Sequence, residues 1–249
     1  MIFRIFFAAL AAGLLSAVLI TQIQAFITTP MIILAETYET SSGGHDHATH
    51  DHNKVQNNKD RLVAGDDAEQ EDWGPQDGLE RQAYSFLANL VIGIGFSLLL
   101  IVGLTFEKAP FGNSRGVLWG LAGFAVFTMA PNLGLPPELP TMPAADLNAR
   151  QIWWLATILL SAAGLGITVF GKHPMINILG LVLLALPHLW GAPHASGASD
   201  VPPELAAQFA ASTIVLSALF WIMIGYFSSV IFNWLGEKQQ ETKGFAILK

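Results

Sequence analysis

The sequence predicts an all-α integral membrane protein, a bundle of about six transmembrane helices with five as the alternative. Three observations predict it. Of the 249 residues only 12% are charged and 52% are hydrophobic, against about 25% charged in soluble domains. The hydrophobic residues are collected into stretches close to the ~20 that a helix needs to cross a bilayer. Between the first and second stretches lies a segment, about 41–76, of Ser, Gly, Asn, Asp, Glu and His. Such a composition buries too little apolar surface to offset chain ordering, so a disordered outer loop is expected there. The whole chain, 1–249, reads as one transmembrane helical domain.

The expected spans are about 5–26, 84–105, 116–135, 151–171, 175–190 and 207–234. The first follows the single positive charge of Arg4, as a signal peptide would. Its apolar run exceeds a signal core of roughly 7–15 residues, and Ile23-Gln24-Ala25 is a poor cleavage site, so a retained helix is expected. The fifth is the shortest, and a re-entrant segment is its alternative. The sixth is long enough to tilt or to include an interfacial turn.

Charge sorts the loops. With six crossings the termini share a side with the loops at 106–115 and 172–173. Arg4, Lys108, Arg115, Lys172, Lys238, Lys243 and Lys249 fall there, against Glu107, Glu237 and Glu241. The other side takes Glu36, Glu39, the acidic segment, Glu138, Asp146, Asp200 and Glu204. Basic residues next to spans favour the cytoplasm, so both termini are expected there. Trp153, Trp154 and Trp190 then mark the outer interface, Trp119 and Trp234 the inner one. Gly112, Gly116 and Gly120, four residues apart and followed by Gly123, predict close approach of the third helix to a neighbour. Pro136-Pro137-Glu138-Leu139 is echoed by Pro202-Pro203-Glu204-Leu205, each in an outer loop leading into a helix.

Several function classes are excluded at once. The absence of cysteine removes thiolate metal sites, iron–sulfur clusters and cysteine nucleophiles. A net charge of −7 argues against nucleic acid, whose phosphates need a basic face. No Gly-x-Ser-x-Gly or His-Glu-x-x-His occurs, and no enzymatic activity is expected. Gly166 to Lys172 has phosphate-loop spacing but ends in His173 and follows no strand. The central parts of the spans hold no Asp, Glu, Lys or Arg, which disfavours a proton-coupled antiporter built on an intramembrane acid.

The clearest chemical signal is His45-Asp46-His47-Ala48-Thr49-His50-Asp51-His52. Four imidazoles and two carboxylates fall within eight residues. Imidazole suits cobalt, nickel, copper and zinc, the carboxylates add charge neutralisation, and the lack of soft sulfur disfavours copper(I). The tract alone does not choose among the divalent ions; its alternative is a solvated acidic loop. A second constellation lies at the outer end of the fifth span: His188, and His194 after the Gly191-Ala192-Pro193 turn. Glu138, Asp146 and Glu204 share that side, where imidazoles and carboxylates at a pore mouth form a candidate cation site. Helix capping is the alternative for Asp146 and Glu204, and an interfacial hydrogen bond is that for His188.

Several phrases taken together carry a resemblance: Asp77-Gly78-Leu79-Glu80-Arg81, Leu118-Trp119-Gly120-Leu121-Ala122-Gly123-Phe124 and Leu133-Gly134-Leu135-Pro136-Pro137-Glu138-Leu139-Pro140. Ala144-Ala145-Asp146-Leu147, Arg150-Gln151-Ile152-Trp153-Trp154, Ala185-Leu186-Pro187-His188 and Gly191-Ala192-Pro193-His194 complete the set. The chain resembles the CbtA family of probable cobalt transporter subunits, from its first helix to its last. The resemblance implies a bacterial inner-membrane component for cobalt uptake serving cobalamin synthesis. It also implies a small single-span partner, CbtB, and five spans where the apolar stretches give six. A divalent metal ion, cobalt first with nickel or zinc next, is then cargo. The competing expectation is a non-conducting accessory protein that delivers cobalt or nickel to another transporter.

Overall fold

The computed structural model describes residues 1–42, 75–105 and 112–247. Among the described residues every regular element is helical. We label them α1 (Ile2–Ile27), α2 (Thr29–Ser42), α3 (Leu79–Thr105), α4, α5 (Leu147–Phe170), α6 (Pro174–Trp190) and α7 (Pro203–Ile247). Helix α4 is composite: Asn113–Phe124, a π turn at Ala125–Met129, and Ala130–Asn132.

Every expected span coincides with one of these helices, but the count of six crossings is not reached by length. Four helices are long and apolar enough to span a bilayer: α1, α3, α5 and α7 over Pro203–Lys238. Helix α6 has 17 residues, about 26 Å at 1.5 Å per residue, short of the ~30 Å hydrocarbon core. Helix α4 is interrupted for a local reason. Pro131 offers no N–H and its ring crowds the carbonyl four residues earlier. The turn before it widens, and the Ala130 N–H donates to the Ala125 carbonyl five residues back.

Helices α1, α3, α4 and α7 form the main bundle, α7 touching the other three. Its centre is Ile20, Leu100, Leu216, Phe220, Trp221 and Ile224. Small residues set the spacing. A Cβ on Gly13 would lie 2.6 Å from the Ile94 backbone nitrogen, so α1 and α3 meet backbone to backbone. Gly116 and Gly120 press on the α7 backbone at Gly225 and Trp221, and Gly123 faces the Trp221 ring. The glycine stripe of α4 is therefore a packing face, apart from exposed Gly112, which meets nothing. Helices α5 and α6 form a hairpin through Gly164 and Gly180. That hairpin joins the main bundle chiefly at the π turn and last residues of α4.

Large apolar side chains cover the outside, among them Leu14 and Val18 on α1, Val91 on α3, and Ile178 and Leu181 on α6. In water a surface of this kind is an aggregation face; in a bilayer it is the solvated one.

Helix α2 is not anticipated by the sequence pattern. Its apolar run, Met31–Ala35, is short and passes directly into Glu36, Thr37 and Tyr38. It begins at a turn where Thr28 Oγ1 donates to the Gln24 carbonyl. Its Ala35 packs with Leu139, Val201, Leu205 and Phe209, so α2 and two loops form a layer over one end of the bundle. Helix α2 continues to Ser42, two residues into the expected loop.

Candidate functional site

The covered end of the bundle gathers the described candidate residues. Antiparallel packing decides this. Gly13 faces Gly93 while Thr21 meets Asn89, and Trp153 meets Pro187 while Gly164 faces Gly180, so α1 and α3, and then α5 and α6, run in opposite directions. The Arg4 side chain lies over the Phe232 ring and its Nε donates to the Phe232 carbonyl at 2.7 Å. The start of α1 and the later part of α7 therefore share the far end, near Lys238, whose Nζ lies 4.6 Å from the Trp234 ring centre. The loop at 133–146 and the segment at 191–202 lie at the near end. There Gly134 abuts Ala192 and Gly197 meets Pro143. Glu36, Asp77, Glu80, Glu138, Asp146, Asp200 and Glu204 stand at this end, with Arg81 and Arg150.

The start of α5 organises its part of the site through one helical face. Asp146 is the N-cap, its Oδ1 accepting from the Ala149 N–H at 2.9 Å. One turn on, Arg150 Nη2 lies 3.4 Å from Glu138 Oε2. Three residues further, the buried Trp153 donates from Nε1 to the Pro187 carbonyl at 3.3 Å. Its ring meets the His188 imidazole edge-on, with centroids 6.1 Å apart and planes at 69°. Positions 146, 150 and 153 are spaced as neighbours on a helix surface, so a single stripe of α5 holds Asp146, Glu138 and His188.

His188 is half-buried in the last turn of α6, where the helix dipole favours a nearby cation. The Gly191 N–H closes that helix on the Pro187 carbonyl with φ at +89°, a left-handed conformation that favours glycine. The chain then turns back across the 133–143 loop, leaving His194 exposed. Glu204 is exposed in the first turn of α7, where a carboxylate interacts favourably with the dipole.

His45, Asp46, His47, His50, Asp51 and His52 lie outside the described residues. Among the described residues no three His, Asp or Glu side chains are grouped to hold a metal ion. Asp146 serves as a cap and Glu138 as the partner of Arg150. His188, His194 and Glu204 share the end of the bundle with them without forming a closed cluster. Two features at this end have no signal in the sequence. One is Arg150 as the partner of Glu138. The other is the pair of hydrogen bonds from Arg81 to Glu36, at 2.8 and 3.0 Å, with Asp77 2.9 Å from Arg81 Nε. The first partner lies 45 residues away in sequence, beyond any periodic pattern.

An apolar bundle with carboxylates and imidazoles at one end defines the class: a multi-helix integral membrane protein. The particular family follows from a profile match over residues 2–233, nearly the whole chain. The chain belongs to the CbtA family, described as probable cobalt transporter subunits. No curated protein and no solved structure matches it significantly.

Proposed function

We propose that this chain is the membrane-embedded subunit of a divalent transition-metal uptake system of the bacterial inner membrane, with cobalt as its cargo and nickel or zinc as the nearest competitors. Six helices cross, α4 and α6 included, and both termini are cytoplasmic. The His45–His52 tract captures the hydrated ion on the periplasmic side and passes it to His188, His194, Glu138, Asp146 and Glu204. A small single-span CbtB-like protein is the partner, and the product serves cobalamin synthesis. The observation that carries this proposal is the separation of charge between the two ends of the bundle. Seven carboxylates with His188 and His194, against Arg81 and Arg150, stand at the end that receives 133–146 and 191–204, while Arg4, Arg115, Lys172 and Lys238, against Glu237 and with His173, mark the other. The membrane potential alone supplies about 2.3 kcal/mol per charge per 100 mV for inward movement of a cation.

Radiolabelled cobalt uptake by cells producing this chain with its small partner tests it. The His188→Ala/His194→Ala variant should lose about tenfold or more, since even outer-shell partners of metal ligands cost 10–100-fold. Undiminished uptake in that variant contradicts the site. Uptake into liposomes holding only the two chains separates a conducting role from an accessory one.

A further inference from the structure

We propose that the cation, with some of its water, crosses along a polar seam where α1, α3 and α7 meet. The seam is lined at an outer level by Thr21, Gln24 and Asn89, then by the Ser16 hydroxyl, and at an inner level by the hydroxyls of Ser97 and Ser228. This deepens the transport proposal and rests on it.

The lipid-facing positions of these helices are almost wholly apolar, as Val18 on α1 and Leu99 on α3 are. The uncharged polar residues turn the other way. At the outer level, Asn89 Nδ2 donates to Thr21 Oγ1 at 2.9 Å and to Gln24 Oε1 at 2.7 Å. Eight residues further along α3, about 12 Å deeper, comes the inner level. Ser97 stands between Gly93, which faces Gly13, and Ile101, which packs on Ala8, Ala9 and Phe232. Between the two levels, Ser16 stands between Gly13 and Ile20 on the inward face of α1. Ser228 lies on α7 between Ile224, packed on Ile20 and Leu100, and Phe232. Three helices thus each carry one small buried hydroxyl along the seam, Ser16 nearer its outer level and Ser97 at its inner one.

Small residues alone would be accounted for by close helix packing. The hydroxyls are not. Ser16, Ser97 and Ser228 are each 0% exposed, and none of their Oγ atoms has a hydrogen-bond partner. A buried hydroxyl in an apolar surrounding costs free energy unless it is paired, and a helical serine ordinarily relieves that cost by bonding a carbonyl of the preceding turn. Ser161 and Thr213, outside this lining, share that state. Along the seam three helices each contribute one such hydroxyl, below the amides of Gln24 and Asn89, and these are groups poised for water or a hydrated ion. Hydroxyl and amide oxygens suit an ion that keeps part of its hydration, and the uncharged lining binds it weakly enough to release it.

The chain has no cysteine, so single thiols report directly. Ser16→Cys, Ser97→Cys and Ser228→Cys are near-isosteric. Val18→Cys and Leu99→Cys are the lipid-facing controls. In membranes holding the full chain and its small partner, the three seam thiols should react with a small hydrophilic methanethiosulfonate at least about tenfold faster than the controls, because thiol modification follows exposure. Cobalt chloride should slow them and leave the controls unchanged. Seam thiols as inert as the controls overturn the seam. The three sites are independent, so one misfolded variant leaves two tests. Wild-type uptake separates the two proposals. Inert thiols with intact uptake, also unchanged in Ser16→Ala/Ser97→Ala/Ser228→Ala, reject the seam alone. Reactive thiols without cobalt uptake by the wild type reject the transport proposal.

Discussion

The indole of Trp221 donates from Nε1 to Thr128 Oγ1 at 3.0 Å, tying α7 to the π turn that Pro131 imposes on α4. Phe96 and Phe127 lie against the same indole, with centroids 4.4 and 5.7 Å away. The irregular turn of α4 is therefore braced by an aromatic cluster and a hydrogen bond. Removing only the bond should have a modest effect, since such bonds between membrane helices average about 0.6 kcal/mol and reach about 1.7. Thr128→Val should destabilise the protein within that range, measured by reversible unfolding in detergent micelles. A loss of several kcal/mol would mean that the bond governs more than this turn.

Close backbone contact between α4 and α7 gives a sharper expectation. Gly120→Val should abolish the folded state or cost more than the 1–3 kcal/mol usual for overpacking, because its Cβ would meet the Trp221 carbonyl. Gly166→Ala, where nothing lies near the added carbon, should be neutral or stabilising by up to about 1 kcal/mol through helix propensity. Thermal stability of the two variants in the same detergent checks the contrast.

The six apolar stretches were legible because span length and charge exclusion are written along the chain. Each expected boundary falls within a few residues of a helix, apart from the extension of α7 beyond 234. The glycine stripe of α4 was legible for the same reason: a spacing of four fixes a face. Other features depend on partners remote in sequence. Neither Glu138 facing Arg150 nor Glu36 facing Arg81 leaves a periodic trace. The π turn was hidden because Pro131 lies inside a run that otherwise reads as continuous helix. The two Pro-Pro-Glu-Leu phrases are only partly alike. Leu139 and Leu205 pack in one cluster, yet the second phrase opens α7 while the first lies in the loop before α5.

Asp146 separates capping from metal capture. Asp146→Ala should cost about 0.5–2 kcal/mol, as loss of an N-cap does. Asp146→Ser should restore that stability, because serine caps nearly as well. Cobalt uptake should stay reduced in the serine variant if the carboxylate also holds cargo. Full recovery of uptake would leave Asp146 with capping alone.

The ion pair between Arg81 and Glu36 fastens α2 over the covered end. Both side chains are partly exposed, at 20% and 34%, so the bond should contribute about 1 kcal/mol or less. Arg81→Ala should therefore leave the bundle intact while amide exchange in residues 29–38 quickens. Unchanged exchange there would show that the apolar contacts of Ala35 alone dock the helix.

Sidedness tests the central claim most directly, that the imidazole and carboxylate groups form one periplasmic face. Thr49→Cys, Glu138→Cys, His194→Cys and Lys172→Cys are each labelled with a membrane-impermeant maleimide in intact spheroplasts. The first three should label from outside, and Lys172→Cys only after the membrane is opened. Labelling of Thr49→Cys and His194→Cys from opposite sides would contradict the account.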